Sequence, residues 1–163
     1  MRQLALGTEN RSSIVLIEPS VLTFISRHRQ LTQTACEAGG VLLGHIRGPH
    51  FHILAATEPG RQDRQTRTNF HRRDKVHEQH FLKAREKDPF ITYLGDWHSH
   101  PEDTPTPSAL DEQEWNVLEK HVSRRCVCLI QGRKAVGGYL VLPDSGIVAL
   151  EQIRGPKRSA AKA

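Results

Sequence analysis

The stretch His98-Ser99-His100-Pro101-Glu102-Asp103-Thr104-Pro105-Thr106-Pro107-Ser108-Ala109-Leu110-Asp111 joins two imidazoles, a proline-rich loop, a hydroxyl and a carboxylate. Tyr93 to His100 reads as a strand that runs into this segment. Residues two apart on a strand share a face, so His98 and His100 project together, with Asp96 on their side and Trp97 turned to the core. Pro101 ends the ladder directly after the second histidine. Ser108 to about His121 reads as a helix with Leu110, Trp115 and Leu118 inward. Ser108 and Asp111 share the face of its first turn. A hydrolytic zinc site takes three ligands of the His/Asp type and keeps one open position. His98, His100 and Asp111 can supply the three. The same Ser108–Asp111 spacing behind Pro107 is also a capping box, which is the favoured reading of that pair taken alone. The conjunction of both halves across one loop favours a shared ion.

Working outward, Ile14 to Ile17 is a short apolar run that reads as a buried strand. Pro19 opens a helix to about Gln30, with Val21, Leu22, Ile25 and His28 at helical spacing. Gly39-Gly40 breaks the chain before a strand from Val41 to Ile46. Gly48-Pro49 turns it into a partner strand, Phe51 to Thr57. Glu58 to Arg73 is a polar loop long enough to suggest a functional role. Asp74 caps a helix to about Lys87, with Val76, His80, Phe81 and Ala84 on its inner face. Three strands follow the second half of the signature: Arg125 to Ile130, Val136 to Leu142 and Ile147 to Ile153. Helices mixed with paired strands predict an α/β sandwich, a mixed central sheet flanked by helices. Residues 1–154 form its single domain, and 155–163 read as a basic, disordered tail.

Composition narrows the function classes. The chain has 163 residues, 37% hydrophobic and 25% charged, which describes one ordinary soluble domain. No run approaches a membrane helix, and the first residues lack a signal-peptide core. Cys36, Cys126 and Cys128 are an odd set, expected as reduced thiols in a cytosolic protein. The net charge of +5 is concentrated in Arg61, Arg64, Arg67, Arg72 and Arg73, with Lys157, Arg158 and Lys162 near the end. Only Phe70 interleaves an aromatic with this charge, so nucleic acid ranks third, behind a solvated loop and an acidic partner surface. His77-Glu78-Gln79-His80 approaches the H-E-x-x-H zinc helix, but its second histidine arrives one residue early. His80 is expected to pack inward, with His77 and Glu78 solvated. Cys126 and Cys128 share a strand face and read as small buried thiols.

These residues resemble the JAB/MPN (JAMM) metalloprotease family, whose fold is cytidine-deaminase-like. The family pattern is an upstream glutamate, then H-x-H-P, six residues and S-x-x-D, and every position is filled here. Cys36-Glu37-Ala38-Gly39-Gly40-Val41-Leu42-Leu43-Gly44 is similar to the family's E-x-G-G-x-L-x-G stretch. The resemblance implies that His98, His100 and Asp111 bind zinc, that Glu37 is the general acid/base and that Ser108 aids the oxyanion. Gly95 to Glu102, then Pro107-Ser108, Asp111 and Trp115, resemble more narrowly the JAB peptidases of CBASS antiphage operons. Phe70 with Arg72 and Arg73 fits that branch as well, whereas Asp96 stands where glutamate is more usual.

What the resemblance implies is a zinc isopeptidase that cleaves after the C-terminal residue of a protein modifier or conjugated protein. In CBASS the substrate would be a cyclic-nucleotide synthase joined to its targets. Its extended C-terminal tail would lie along a sheet edge. A processing peptidase for ubiquitin-like sulfur carriers is the second enzyme reading and a cell-wall hydrolase the third. A non-catalytic MPN scaffold ranks lower, because this chain keeps every ligand.

Overall fold

The computed structural model describes residues 2–143 and 146–154. In chain order the elements are β1 (Leu4–Gly7), β2 (Ile14–Ile17), α1 (Pro19–Ser26), β3 (Gly39–Arg47), β4 (His50–Ala56), β5 (Arg64–Gln65), β6 (Phe70–His71), α2 (Val76–Lys87), β7 (Thr92–Ser99), α3 (Ala109–Val122), β8 (Cys126–Gln131), β9 (Val136–Leu142) and β10 (Gly146–Gln152). The stretch 155–163, expected as a tail, lies outside the described residues. No helix among the described residues is long and apolar enough to cross a membrane.

The sheet is mixed, as expected, but it is not one layer of a sandwich. Eight strands close into a barrel in the order β1-β10-β9-β8-β7-β3-β4-β2. β2–β4 and β7–β8 pair parallel, and the other neighbours pair antiparallel. The closing piece is β1, which pairs Leu4 with Ile17 on one side and Leu6 with Gln152 on the other. It joins two edges that an open sheet would leave exposed.

Two packed clusters flank the barrel wall. Inside it Leu42, Ile53, Leu94, Trp97 and Leu129 meet Val21, Leu22 and Ile25 of α1. Outside it Trp115 of α3 packs on Cys126, Cys128, Ile130 and Tyr139. β8 is buried on both faces, which accounts for its unbroken run Cys-Val-Cys-Leu-Ile. Cys126 and Cys128 are fully buried, as expected of packing thiols.

β7 reaches the site through a bulge. Its pairing with β3 steps from Gly95–Leu42 to Tyr93–Leu43, leaving Leu94 as the extra residue. Gly95 has φ +147°, and a Cβ there would lie 1.9 Å from the Val127 carbonyl oxygen, so only glycine fits.

Several boundaries differ from the sequence reading. α1 stops at Ser26, which frees His28 to pack against Trp97 with ring centroids 5.4 Å apart. Gly39 and Gly40 do not break the chain; they begin β3 opposite His98 and Trp97. The Glu58–Arg73 loop contains the small β5–β6 hairpin. Leu110 is 41% exposed rather than inward, whereas Trp115 is buried.

α2 is rotated from the expected face. His77 is buried and His80 exposed, the reverse of the sequence reading. Lys75, not Asp74, stands at the N-cap, although the Asp74 carboxylate accepts the Val76 N–H at 3.0 Å just ahead of the helix.

Candidate metal centre

Strand pairing carries Glu37 to the histidines. Gly39 pairs with His98. One step earlier the Ala38 N–H donates to Ser99 Oγ at 3.0 Å, and the Ser99 N–H donates to the Ala38 carbonyl at 2.8 Å. The His100 N–H donates to the Gln131 carbonyl on β8 at 2.9 Å. The proline-rich loop is seated on the β8–β9 turn. There the Glu102 carbonyl accepts from Arg133 N and the Asp103 carbonyl from Lys134 N and Ala135 N. The Tyr139 hydroxyl donates to the Pro105 carbonyl at 3.3 Å. This seating fixes the span between the histidines and the start of α3.

Asp111 sits in the first turn of α3, and the capping box read from the sequence is formed. The Asp111 N–H donates to Ser108 Oγ at 3.2 Å, while Asp111 Oδ2 accepts the Ser108 N–H at 2.6 Å. The Ser108 hydroxyl also donates to Asp111 Oδ2 at 2.7 Å, so the cap orients the carboxylate.

Glu37, His98, His100 and Asp111 converge, all buried, with one candidate ligand atom from each lying within 4.8 Å of the others. His98 Nε2 is 3.0 Å from His100 Nε2 and 3.1 Å from Asp111 Oδ1. His100 Nε2 is 3.3 Å from Asp111 Oδ2. Glu37 Oε1 stands back, 3.9 Å from His98 Nε2. A tetrahedral ion with bonds of about 2.0–2.1 Å needs ligand–ligand edges of about 3.3–3.4 Å. The shorter separations fall within about 0.4 Å of that. Two imidazole nitrogens this close can share at most one proton, whereas a cation satisfies both lone pairs and the carboxylate. Two imidazoles with one or two carboxylates suit zinc-like divalent ions.

The electrostatics follow from burial against charge. Burial pushes the Glu37 carboxyl up to about 7, against the pull of His98 and His100. Burial also opposes ionisation of Asp111, but hydrogen bonds from His100, His98 and Ser108 hold its carboxyl well below the usual range. For His100, burial is outweighed by the Asp111 hydrogen bond, which raises its pKa. His100 Nδ1 lies 3.2 Å from Glu102 Oε2 without the alignment of a hydrogen bond.

Glu37, His98 and Asp111 of this cluster line a cleft of about 550 Å³. Phe70, His71 and Arg72 line one wall and Leu110, Glu114 and Val117 the other. Asp96, whose role the sequence left open, pairs with the Arg72 guanidinium.

The chain matches the family of prokaryotic homologs of the JAB domain over residues 19–139. It belongs to this family. A Pseudomonas aeruginosa relative named CD-NTase/cGAS isopeptidase is 39% identical over 143 residues, covering 86% of this chain and 90% of the relative. A Vibrio cholerae relative of the same name is 37% identical over 124 residues, covering 74% of this chain and 78% of the relative. The solution structure of a Desulfitobacterium hafniense protein superposes with a TM-score of 0.57 at 19% identity. It covers 85% of this chain and 88% of that one, a likeness of fold.

Several other histidines of this JAB domain serve contacts outside the cluster. His45 pairs with Asp88 at 2.7 Å and His52 with Glu18 at 2.6 Å. His77, expected to be solvated, instead links Thr57 and Asp63. Its Nδ1 is 2.6 Å from Thr57 Oγ1 and its Nε2 2.8 Å from Asp63 Oδ2. Neither this link nor the Ser99 anchor was visible in the sequence, because each partner lies on a distant segment. Within the arginine-rich loop, Arg67 donates to the Thr32 and Gln33 carbonyls and Arg72 is held by Asp96. Those two arginines are therefore already engaged within the fold.

Proposed function

We propose that the chain is a zinc-dependent isopeptidase that releases a cyclic-nucleotide synthase, through its C-terminal tail, from the protein to which it is conjugated in CBASS defence. The observation that carries this reading is the buried convergence of Glu37, His98, His100 and Asp111, three of which line a cleft, in a chain similar to named isopeptidases. His98, His100 and Asp111 would hold the ion. When bound, zinc polarises the scissile carbonyl and lowers the pKa of water to about 7. Glu37, set back from the three ligands, takes a proton from the attacking water at Oε and returns it to the leaving amine. Proton transfer in both directions by a positioned carboxylate is a role worth about 10²–10⁴-fold. Ser108 orients Asp111 through its cap and is the candidate donor to the oxyanion. That second duty requires its hydroxyl to exchange the Asp111 bond for the substrate oxygen.

Among the described residues the closed barrel offers no free edge to an extended tail, whereas the β5–β6 hairpin does, and Phe70 and His71 of β6 line the cleft. We therefore assign the tail to the hairpin side of the cleft. Cys36, Cys126 and Cys128, an odd set with no disulfide among the described residues, support a cytosolic setting.

The test combines metal analysis with mutation. The purified chain should carry one zinc, and Glu37→Ala should retain it while losing about 10²–10⁴-fold in cleavage of a synthase-tail conjugate. A folded, chelator-free preparation without zinc, or full activity in Glu37→Ala, would overturn the reading.

A further inference from the structure

Glu37 is presented by an irregular segment between α1 and β3, yet its backbone is held on both sides. On the C-terminal side, Ala38 is locked to Ser99 by the two bonds described above. On the N-terminal side, the anchors come from the turn of the β5–β6 hairpin and from Gln30. The Glu37 N–H donates to the Thr66 carbonyl at 2.7 Å. The Gln30 carboxamide donates to Ala35 O at 3.0 Å and to Arg67 O at 2.8 Å, clamping segment and turn together. Gln30 is 2% exposed, and the two carbonyl acceptors fix which end of its amide faces them. In the reverse direction the Arg67 guanidinium donates to the Gln33 and Thr32 carbonyls. The turn is closed on itself by the Thr66 N–H donating to Asn69 O at 2.9 Å. Its outgoing strand begins with Phe70, a wall of the cleft, and the space of a Cβ on Gly39 is taken by the Phe70 ring.

We infer that the β5–β6 turn sets the position of Glu37, with Gln30 and Arg67 as positioning residues. The hairpin that borders the substrate and the segment that carries the proton acceptor then move as one body. This rests on the reading of Glu37 as the proton carrier. Proton transfer requires heavy atoms at about 2.6–3.2 Å, and a displacement of about 1 Å can cost about 10²-fold. Losing part of the clamp should therefore appear in kcat rather than in metal content.

Arg67 is exposed, so Arg67→Met leaves the core untouched and keeps the side-chain stem. The expected result on the zinc-loaded protein is a fall in kcat of about 10- to 100-fold, with KM within about twofold and zinc content unchanged. Arg67→Lys, which keeps a donor, should recover most of the loss. The decisive arm is a double-mutant cycle: on the residual rate of Glu37→Ala, Arg67→Met should have no further effect. A rise in KM alone, an unchanged kcat, or losses that multiply in the Glu37→Ala background would overturn the inference. If Glu37→Ala disables the enzyme while Arg67→Met is silent, only the positioning role fails. If Glu37→Ala is itself fully active, the proposed function fails, and this inference with it.

Discussion

Replacing His77 by leucine should destabilise the fold far more than the same change at His80, although the two lie on one polar helix. A carboxylate only accepts, so the 2.8 Å contact requires His77 Nε2 to carry the proton given to Asp63 Oδ2. In the neutral ring Nδ1 then accepts from the Thr57 hydroxyl at 2.6 Å, and Thr57 Oγ1 in turn accepts the Val41 N–H at 2.9 Å. Every donor in this buried chain has one acceptor. His77→Leu removes a charge-assisted bond worth about 1.5–3 kcal/mol and strands a buried hydroxyl at about 1–3 kcal/mol. Leucine regains part of that by apolar burial, leaving a net cost of about 3 kcal/mol. For a chain of this size the melting temperature should fall by about 6–12 °C. His80→Leu, on the exposed face, should stay within about 0.5 kcal/mol. Thermal unfolding followed by circular dichroism, with urea midpoints as a second measure, reads both. A cost below about 1 kcal/mol for His77→Leu, or equal costs for the two variants, would refute the reasoning.

Asp63 accepts N–H bonds from Gly60, Arg73 and Asp74 besides the His77 ring. Against the opposing effect of burial, these bring its carboxyl down to about 2. Its contribution to stability is therefore complete above the unfolded carboxyl range near pH 4 and is lost as pH falls through about 2. Asp63→Asn should flatten the pH dependence of the urea midpoint across that window, and equal slopes in variant and parent would count against it. At Gly39 a Cβ would lie 2.4 Å from the Phe70 ring and 2.7 Å from the Trp97 carbonyl oxygen. Gly39→Ala should therefore cost about 1–3 kcal/mol, and an unchanged unfolding midpoint would show that the close approach does not matter.

The strands legible in the sequence were apolar runs bounded by Gly, Pro or polar residues: β2, β3, β4, β7, β8, β9 and β10 all fall within a few residues of their expected spans. β1 escaped because Leu4–Gly7 is four residues long with only Leu6 and Gly7 buried. Its importance lies in whom it pairs with, a fact no local window contains, so a barrel read as a sandwich. β5 and β6, two residues each, are too short to show a period. α2 misled for a different reason. Its sequence, Val-His-Glu-Gln-His-Phe-Leu-Lys-Ala-Arg-Glu-Lys, has too few apolar residues to fix its rotation. A polar anchor fixes it instead, through partners at Thr57 and Asp63.

The candidate site was more legible than the fold because His98, His100 and Asp111 fall in one stretch, where strand alternation and a helical first turn dictate direction. The same alternation explains what the reading of that stretch left out. If His98 and His100 face the cleft, Ser99 must face away, and a polar residue with no exposure needs a partner there. It finds one in Ala38, the neighbour of Glu37. One tripeptide thus presents two imidazoles on one face and anchors the Glu37 backbone on the other. The distance from Glu37 to the histidines is accordingly set by a short hydrogen-bonded path, Glu37-Ala38 to Ser99 and its flanking residues. The far end of the Glu37 segment has no such strand and depends on the hairpin turn. Of the two supports, one ties Glu37 through Ala38 to the end of β7 and the other ties it to the β5–β6 turn.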